Sequence, residues 1–162
     1  MEGYELKRIL LLTLLLFLIV IGGCQEKESP KAISKVNKNV ETSYKWEKSN
    51  VFESNGYEML GKKDKIGIIY SKESIFEVNK PKKYMWHFWG KEDEFSGELK
   101  VIATHEQEKQ EIILLEGRPL AGSNNGATQH VPSNFSLPKK GMWKLDAYIG
   151  DKLFGSIIVE VI

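Results

Sequence analysis

The chain of 162 residues contains only one cysteine and three histidines, and its formal net charge is only +1. A single cysteine excludes an internal disulfide and a zinc site built from a cysteine cluster. The near-neutral charge, with no helix-turn-helix or zinc-finger pattern, argues against nucleic-acid binding. Because Arg8 and Arg118 are the only arginines, bidentate clamps for phosphate or carboxylate groups are scarce. No apolar run reaches the roughly 20 residues that a membrane-spanning helix needs.

The longest apolar run covers residues 9–21, follows two basic residues and ends in two small residues and Cys24. This is the order of a positive n-region, an apolar h-region and a processing site. Together with the sequence Ile21-Gly22-Gly23-Cys24, it resembles a bacterial lipoprotein signal peptide that ends in a lipobox. The resemblance implies cleavage between Gly23 and Cys24 and transfer of a diacylglyceryl group with palmitate-length chains to the Cys24 sulfur. The alternative is a buried helix followed by an ordinary free thiol.

These features divide the chain into three parts. Residues 1–23 form the predicted signal peptide, residues 24–50 the lipidated cysteine with a flexible tether, and residues 51–162 one domain. Lysine, glutamate, serine and asparagine dominate residues 25–50, so this segment cannot bury enough apolar surface to offset the entropy of ordering it. The 139 residues that follow residue 23 are about one domain's worth of chain.

From Val51 onward, short apolar runs alternate with glycine, proline, asparagine and charged clusters, which is typical of strands. Trp143, Leu145 and Ala147 alternate with more polar residues, as in a strand with one solvated face. We therefore predict an all-β, immunoglobulin-like antiparallel β-sandwich. The predicted strands cover residues 65–70, 83–89, 97–104, 110–115, 142–149 and 153–162, with a shorter seventh near 56–60.

Four blocks stand out in the second half of the chain: YMWHFWG at 84–90, LAG and NGA within 120–127, HVPS and SLP within 130–138, and GMWKL at 141–145. With a Phe-Gly-Ser element at 154–156, they resemble an uncharacterised family of Bacillus-type lipoproteins. That resemblance implies an immunoglobulin-like sandwich and a lipid anchor in the cell membrane, with the domain on the extracytoplasmic face. The bias toward lysine, isoleucine and asparagine favours a Gram-positive host; in a Gram-negative host, Gln25 would permit sorting to the outer membrane. The family has no established activity, so it lends no catalytic residues.

Residues 84–89 place large aromatic side chains on both faces of one predicted strand. If Trp86 and the residues two positions away face the core, His87 and Trp89 face outward and form a candidate binding surface. The alternative is a central strand that a loop or a neighbouring strand covers on both faces.

The segment 118–138 is long, polar and rich in glycine and asparagine, and such loops are often functional. It contributes Asn125 and His130 to the candidate binding surface formed by His87 and Trp89. Asn125-Gly126 is also a good tight-turn pair, so part of the segment could be a simple hairpin connection.

Motifs for catalysis or metal binding are missing from the sequence. His87, His105 and His130 could in principle converge on zinc or copper, but their spacing matches no ligand motif. No nucleophile elbow frames a serine, and the acidic run 92–94 lacks the spacing of a calcium loop. We therefore predict no catalytic residues, no metal site and no cofactor.

The sequence thus favours a membrane-anchored extracytoplasmic lipoprotein that acts as a non-catalytic binding module. Its expected partners are the membrane, through the lipid on Cys24, and a protein or cell-wall component; nucleic acid is not expected. The alternative is a metal-handling or envelope-stress lipoprotein that uses the histidines.

Overall fold

A computed structural model describes residues 45–71 and 75–162. The predicted signal peptide, Cys24 and most of the predicted tether lie outside these residues. Within them, no helix is long and apolar enough to cross a membrane. The described residues form nine strands and one 3-10 turn at Glu92–Phe95. The strands are β1 (Asn50–Ser54), β2 (Tyr57–Lys62), β3 (Ile66–Ile69), β4 (Lys82–Phe88), β5 (Leu99–His105), β6 (Glu111–Arg118), β7 (Gln129–Phe135), β8 (Gly141–Ile149) and β9 (Lys152–Val161).

The strands form two antiparallel sheets, one in the order β1-β2-β3-β4-β7 and the other in the order β6-β5-β8-β9. The smaller sheet, β6-β5-β8-β9, corresponds to strands C′-C-F-G of an immunoglobulin domain. In the larger sheet, β3-β4-β7 corresponds to strands A-B-E. Ala121 pairs with His130 beside β7, where strand D would lie. The predicted all-β, immunoglobulin-like sandwich is therefore confirmed, and the β1–β2 hairpin extends its larger sheet by two strands.

The core lies between the two sheets and contains large side chains from both. Trp86 of β4 and Trp143 of β8 are fully buried. The Trp86 indole N–H donates to Ser133 Oγ at 3.0 Å, and that of Trp143 donates to the Lys139 carbonyl at 2.9 Å. Burial of one large apolar side chain contributes about 1.5–3 kcal/mol, so these residues make the sheets a stable platform.

Strand β7 lies inside the segment 118–138 that the sequence analysis interpreted as one long loop. That interpretation was wrong for Gln129–Phe135. Val131, Ser133 and Phe135 are buried at alternate positions, which is the strand period. The pattern was hidden because a serine occupies a core position and Pro132 lies at an outer one. The remaining irregular segment, residues 119–128, we call the covering loop.

The described residues before Val51 contact the domain. The Ser49 amide donates to the Ile158 carbonyl at 2.9 Å, and Ser49 Oγ accepts from the Ile158 amide at 2.8 Å. Trp46 donates its amide hydrogen to Glu106, and the Lys109 ammonium lies 5.1 Å from its ring centroid. One backbone and one side-chain hydrogen bond attach Ser49 to the edge of β9, and such bonds require few apolar side chains.

Candidate functional site

The outer face of the larger sheet carries the residues predicted as a binding surface. His87 lies opposite Gly67 on one side and opposite His130 on the other. Its side chain is nevertheless fully buried. The Asn125 side-chain amide lies 3.2 Å from His87 Nε2, so the covering loop caps the ring. His87 therefore does not line the surface, and the alternative in which a loop covers this face of β4 is the one observed.

The buried His87 ring uses both nitrogens in hydrogen bonds. Nδ1 donates to the Met85 carbonyl at 3.2 Å, and Nε2 accepts from Asn125 Nδ2 at 3.2 Å. This arrangement fits the neutral imidazole with its proton on Nδ1. Burial lowers the pKa of His87, the Met85 carbonyl partly opposes the shift, and nearby His130 lowers it further. His87 thus acts as a neutral support for the covering loop.

Trp89 is half-buried, and its indole N–H donates to the Gly126 carbonyl at 2.7 Å. The Phe52 ring meets the Trp89 ring edge-on, with the centroids 5.8 Å apart. Phe52 can lie across β3 because residue 67 is glycine: a Cβ there would come within 2.8 Å of the Phe52 ring. A small residue on β3 therefore allows an aromatic contact between β1 and the end of β4.

Two Asn-Gly turns meet beside these aromatic rings. Asn55-Gly56 joins β1 to β2, and Asn125-Gly126 forms the tip of the covering loop. The asparagines have φ values of 50° and 47°, and both glycines have φ of 81°. These values are those of type I′ turns. Ser54 Oγ donates to the Asn125 carbonyl at 3.1 Å, so turns 71 positions apart in the chain are bonded to each other.

An open concavity of about 500 Å³ lies over the two turns. It is lined by Asn55, Ser123, Asn124, Asn125, Gly126 and Ala127, and we call this the paired-turn face. None of these side chains is charged. The asparagine amides and the serine hydroxyl supply both hydrogen-bond donors and acceptors.

His130 holds the beginning of the covering loop. Its Nδ1 donates to the Gly122 carbonyl at 2.7 Å, and its backbone exchanges two hydrogen bonds with Ala121, at 2.9 and 3.0 Å. Its ring centroid lies 6.4 Å from that of His87. The four predicted residues, His87, Trp89, Asn125 and His130, therefore do come together, although His87 lies fully buried beneath the surface.

The third histidine lies in the other sheet. His105 is buried on β5, its Nε2 donates to the Lys140 carbonyl at 3.0 Å, and its Nδ1 accepts from the Glu108 amide at 3.3 Å. Within the described part of the chain, no group of three or more histidine, cysteine or acidic side chains is placed to hold a metal ion.

Several site residues were not found from the sequence. Phe52, Ser54 and Gly67 depend on contacts between distant segments, and no local pattern signals them. Asn55 had a usable signal, since Asn55-Gly56 is a second Asn-Gly pair ahead of a predicted strand.

The sheets and the covering loop together define an immunoglobulin-like β-sandwich domain with a polar surface built from turns. The chain belongs to the family described as Domain of unknown function (DUF4871), which matches residues 36–159. No curated protein matches the chain.

The solved structures that match the chain include two with different degrees of similarity. The first is the crystal structure of a "Putative Lipoprotein from Bacillus anthracis", with a TM-score of 0.58 and 23% identity over 85% of this chain and 99% of the other. This likeness supports the fold. The second is the Lin-41 filamin domain, with a TM-score of 0.39 and 8% identity over 63% of this chain and 97% of the other, and it carries no weight here.

Proposed function

We propose that this protein is a lipid-anchored, extracytoplasmic binding module that recognises a protein or a cell-wall component through the paired-turn face. The observation that carries the proposal is the convergence of two Asn-Gly turns on one face whose lining side chains are uncharged. Trp89 holds this face through the Gly126 carbonyl, and β1, β4 and β7 support it. The module works without a cofactor.

The chemistry of the paired-turn face suits binding more than catalysis. Its side chains are amides and a hydroxyl, which form hydrogen bonds but are poor acids and bases near neutral pH. His87, which lies beneath the face, is buried and already bonded through both ring nitrogens. A surface of amides and a hydroxyl, which can donate and accept hydrogen bonds, suits a recognition module.

The covering loop is held in place before any ligand arrives. Trp89, His87, Ser54 and His130 each bond to it, at distances of 2.7 to 3.2 Å. Binding to a preformed surface avoids much of the entropy that ordering a loop would cost. The loop therefore combines surface exposure at Ser123 with the rigidity that specific recognition needs.

Two observations support the lipid anchor. The first is the lipobox-like sequence at 21–24, with its implied cleavage between Gly23 and Cys24. The second is the similar fold of the Bacillus anthracis protein, which is described as a "Putative Lipoprotein". Two or more long acyl chains are needed for durable membrane attachment, and a diacylglyceryl cysteine supplies them.

The anchor is tested with Cys24→Ala. We expect this variant to lose incorporation of labelled palmitate and to leave the membrane fraction, because the acyl acceptor is gone. Ser29→Ala, in the same stretch of chain, is the matched control and should behave like the wild type. Unchanged labelling in Cys24→Ala would contradict the anchor.

Photo-crosslinking on intact cells tests the binding role. Probe amino acids replace Asn55 and Ser123 on the paired-turn face, and a control probe replaces Lys152 in the β8–β9 hairpin; all three positions are exposed. We expect the first two probes to capture the same protein or wall fragment and the control probe to miss it. An identical background at all three positions would contradict the proposed surface.

A further inference from the structure

The two Asn-Gly turns share sequence and backbone geometry but differ in their surroundings. Asn55 is exposed, and among the described residues its side-chain amide has no hydrogen-bond partner. A Cβ at Gly56 would meet nothing within 4 Å, so the turn is open on that side. Asn125 is half-buried and gives its amide to His87 Nε2.

The backbone of the second turn is also held. Asn124 and Ala127 exchange two hydrogen bonds across it, at 2.9 and 3.2 Å. The Asn125 carbonyl accepts from Ser54 Oγ, and the Gly126 carbonyl accepts from Trp89 Nε1. A change of backbone or side-chain conformation at Asn125 must break several of these bonds, whereas the corresponding change at Asn55 disturbs only the end of a hairpin.

This difference matters for a reaction that Asn-Gly sequences undergo spontaneously. The backbone nitrogen of the glycine loses its proton and attacks Cγ of the asparagine, ammonia leaves, and a five-membered succinimide forms. Water then opens the ring at either carbonyl and gives aspartate or isoaspartate. The nitrogen can reach Cγ only if the asparagine leaves its turn conformation, so the rate depends on how easily the turn opens locally.

We propose that Asn55 is a site of spontaneous deamidation, and that the fold protects Asn125 from the same reaction. Each conversion of Asn55 introduces one carboxylate into an uncharged surface. Glu53 and Glu58, which lie opposite each other on β1 and β2, are close in sequence, so the hairpin becomes more acidic with age. The inference rests on the two turns and does not depend on the binding role of the face.

Peptide mapping by mass spectrometry tests the proposal on the full processed chain at mildly alkaline pH. Trypsin places the two asparagines in different peptides, and isoaspartate is detected by its enzymatic methylation. We expect Asn55 to convert about ten-fold or more faster than Asn125, because several hydrogen bonds must break at the second site. Equal rates, or faster conversion of Asn125, would overturn the proposal.

The urea-denatured chain separates sequence from fold. Both asparagines precede glycine, so their rates should become similar once the protein is unfolded. If the ratio of rates persists in urea, the difference comes from sequence and the proposed protection by the fold is wrong.

A single substitution should release the protected site. Trp89→Phe removes the hydrogen bond to the Gly126 carbonyl but keeps an aromatic ring, and we expect deamidation of Asn125 to rise severalfold while that of Asn55 stays constant. Trp46→Phe is the matched control and should change neither rate. Ser54→Ala provides a second release if Trp89→Phe fails to fold. An unchanged rate at Asn125 in the folded variants would also overturn the proposal.

Discussion

Strand β4 separates two layers of packing that are built differently. On its inner side, Tyr84 stacks on Phe135 with ring centroids 4.4 Å apart, and Trp86 and Phe88 are fully buried in the sandwich core. On its outer side, His87 and Trp89 are bonded to a loop that lies 38 and 37 positions further along the chain. The inner layer depends on apolar area, whereas the outer layer depends on a few directed hydrogen bonds.

A small sandwich can hold an irregular polar loop rigidly when directed hydrogen bonds supplement apolar burial. Apolar burial scales with area and fixes the sheets, but it does not specify where a loop of serine, asparagine and glycine rests. The hydrogen bonds that the loop forms with His87 and Trp89 specify that position, and Phe52 closes the edge of the layer.

The largest expected effect is the difference in stability between a variant at Trp86, on β4, and a variant at Trp89, directly after β4. Trp86→Ala should lower the free energy of unfolding by about 3–5 kcal/mol, because it opens a cavity in the core. Trp89→Ala should cost only about 1–2 kcal/mol, from one hydrogen bond and one ring contact. Urea unfolding followed by circular dichroism measures both. Equal losses would show that the outer layer belongs to the core.

A β-branched side chain at position 67 should disrupt the outer layer and leave the core intact. Gly67→Val places atoms where the Phe52 ring lies, and we expect a loss of about 1–3 kcal/mol from overpacking. The displaced Phe52 should also change the near-ultraviolet circular dichroism of Trp89. Gly122→Ala is the control, because a Cβ there meets nothing within 4 Å. A variant at 67 with native stability and spectrum would contradict the proposed contact.

The two Asn-Gly turns offer a matched comparison of smaller size. Asn125→Gly keeps the left-handed backbone conformation but leaves the buried His87 Nε2 without its donor, which should cost about 1–2 kcal/mol. Asn55→Gly removes an exposed amide and should change stability by less than about 0.5 kcal/mol. Thermal or urea unfolding of both variants suffices. A larger loss at Asn55 would reverse the roles assigned to the turns.

The smallest expected effect is a pH dependence that His87 contributes. Its pKa lies below the ordinary value of 6.5 in the folded protein because the ring is buried. Between that lowered value and 6.5, the unfolded chain binds more protons than the folded one, so stability rises with pH. The contribution is complete above pH 6.5 and is lost as pH falls through the folded pKa. His87→Phe should flatten this part of the stability profile, and an unchanged profile would contradict the assignment.

The inner layer could be predicted from sequence because its signal is local. The alternation of Trp143, Leu145 and Ala147 located β8, and the alternation in residues 84–89 grouped Trp86 with the residues that could face the core. Strand β7 was missed because Ser133 and Pro132 break the apolar alternation. Their positions are explained by pairing with β4, which is distant in the sequence. His87, Trp89, Asn125 and His130 could be selected from the sequence as candidates, but their meeting depends on where the covering loop folds.

In the outer layer, the exposed and the buried side chains could not be distinguished from the sequence pattern. His87 and Trp89 occupy equivalent alternate positions, yet only His87 is fully buried. The difference arises from Asn125, which is 38 positions away and whose side chain caps one ring and not the other. Such long-range hydrogen bonds leave no periodic trace in the sequence.

A binding assay with two charge substitutions tests directly whether the paired-turn face is the binding surface. The purified domain, fluorescently labelled, is added to intact cells and to isolated cell walls, as the wild type, Ser123→Lys or Asp151→Lys. Both substitutions add positive charge at an exposed position, but only the first lies on the paired-turn face. We expect Ser123→Lys to lower binding by about ten-fold or more, as for a contact at the centre of an interface, and Asp151→Lys to bind like the wild type. Equal binding by all three proteins would show that the paired-turn face is not the binding surface.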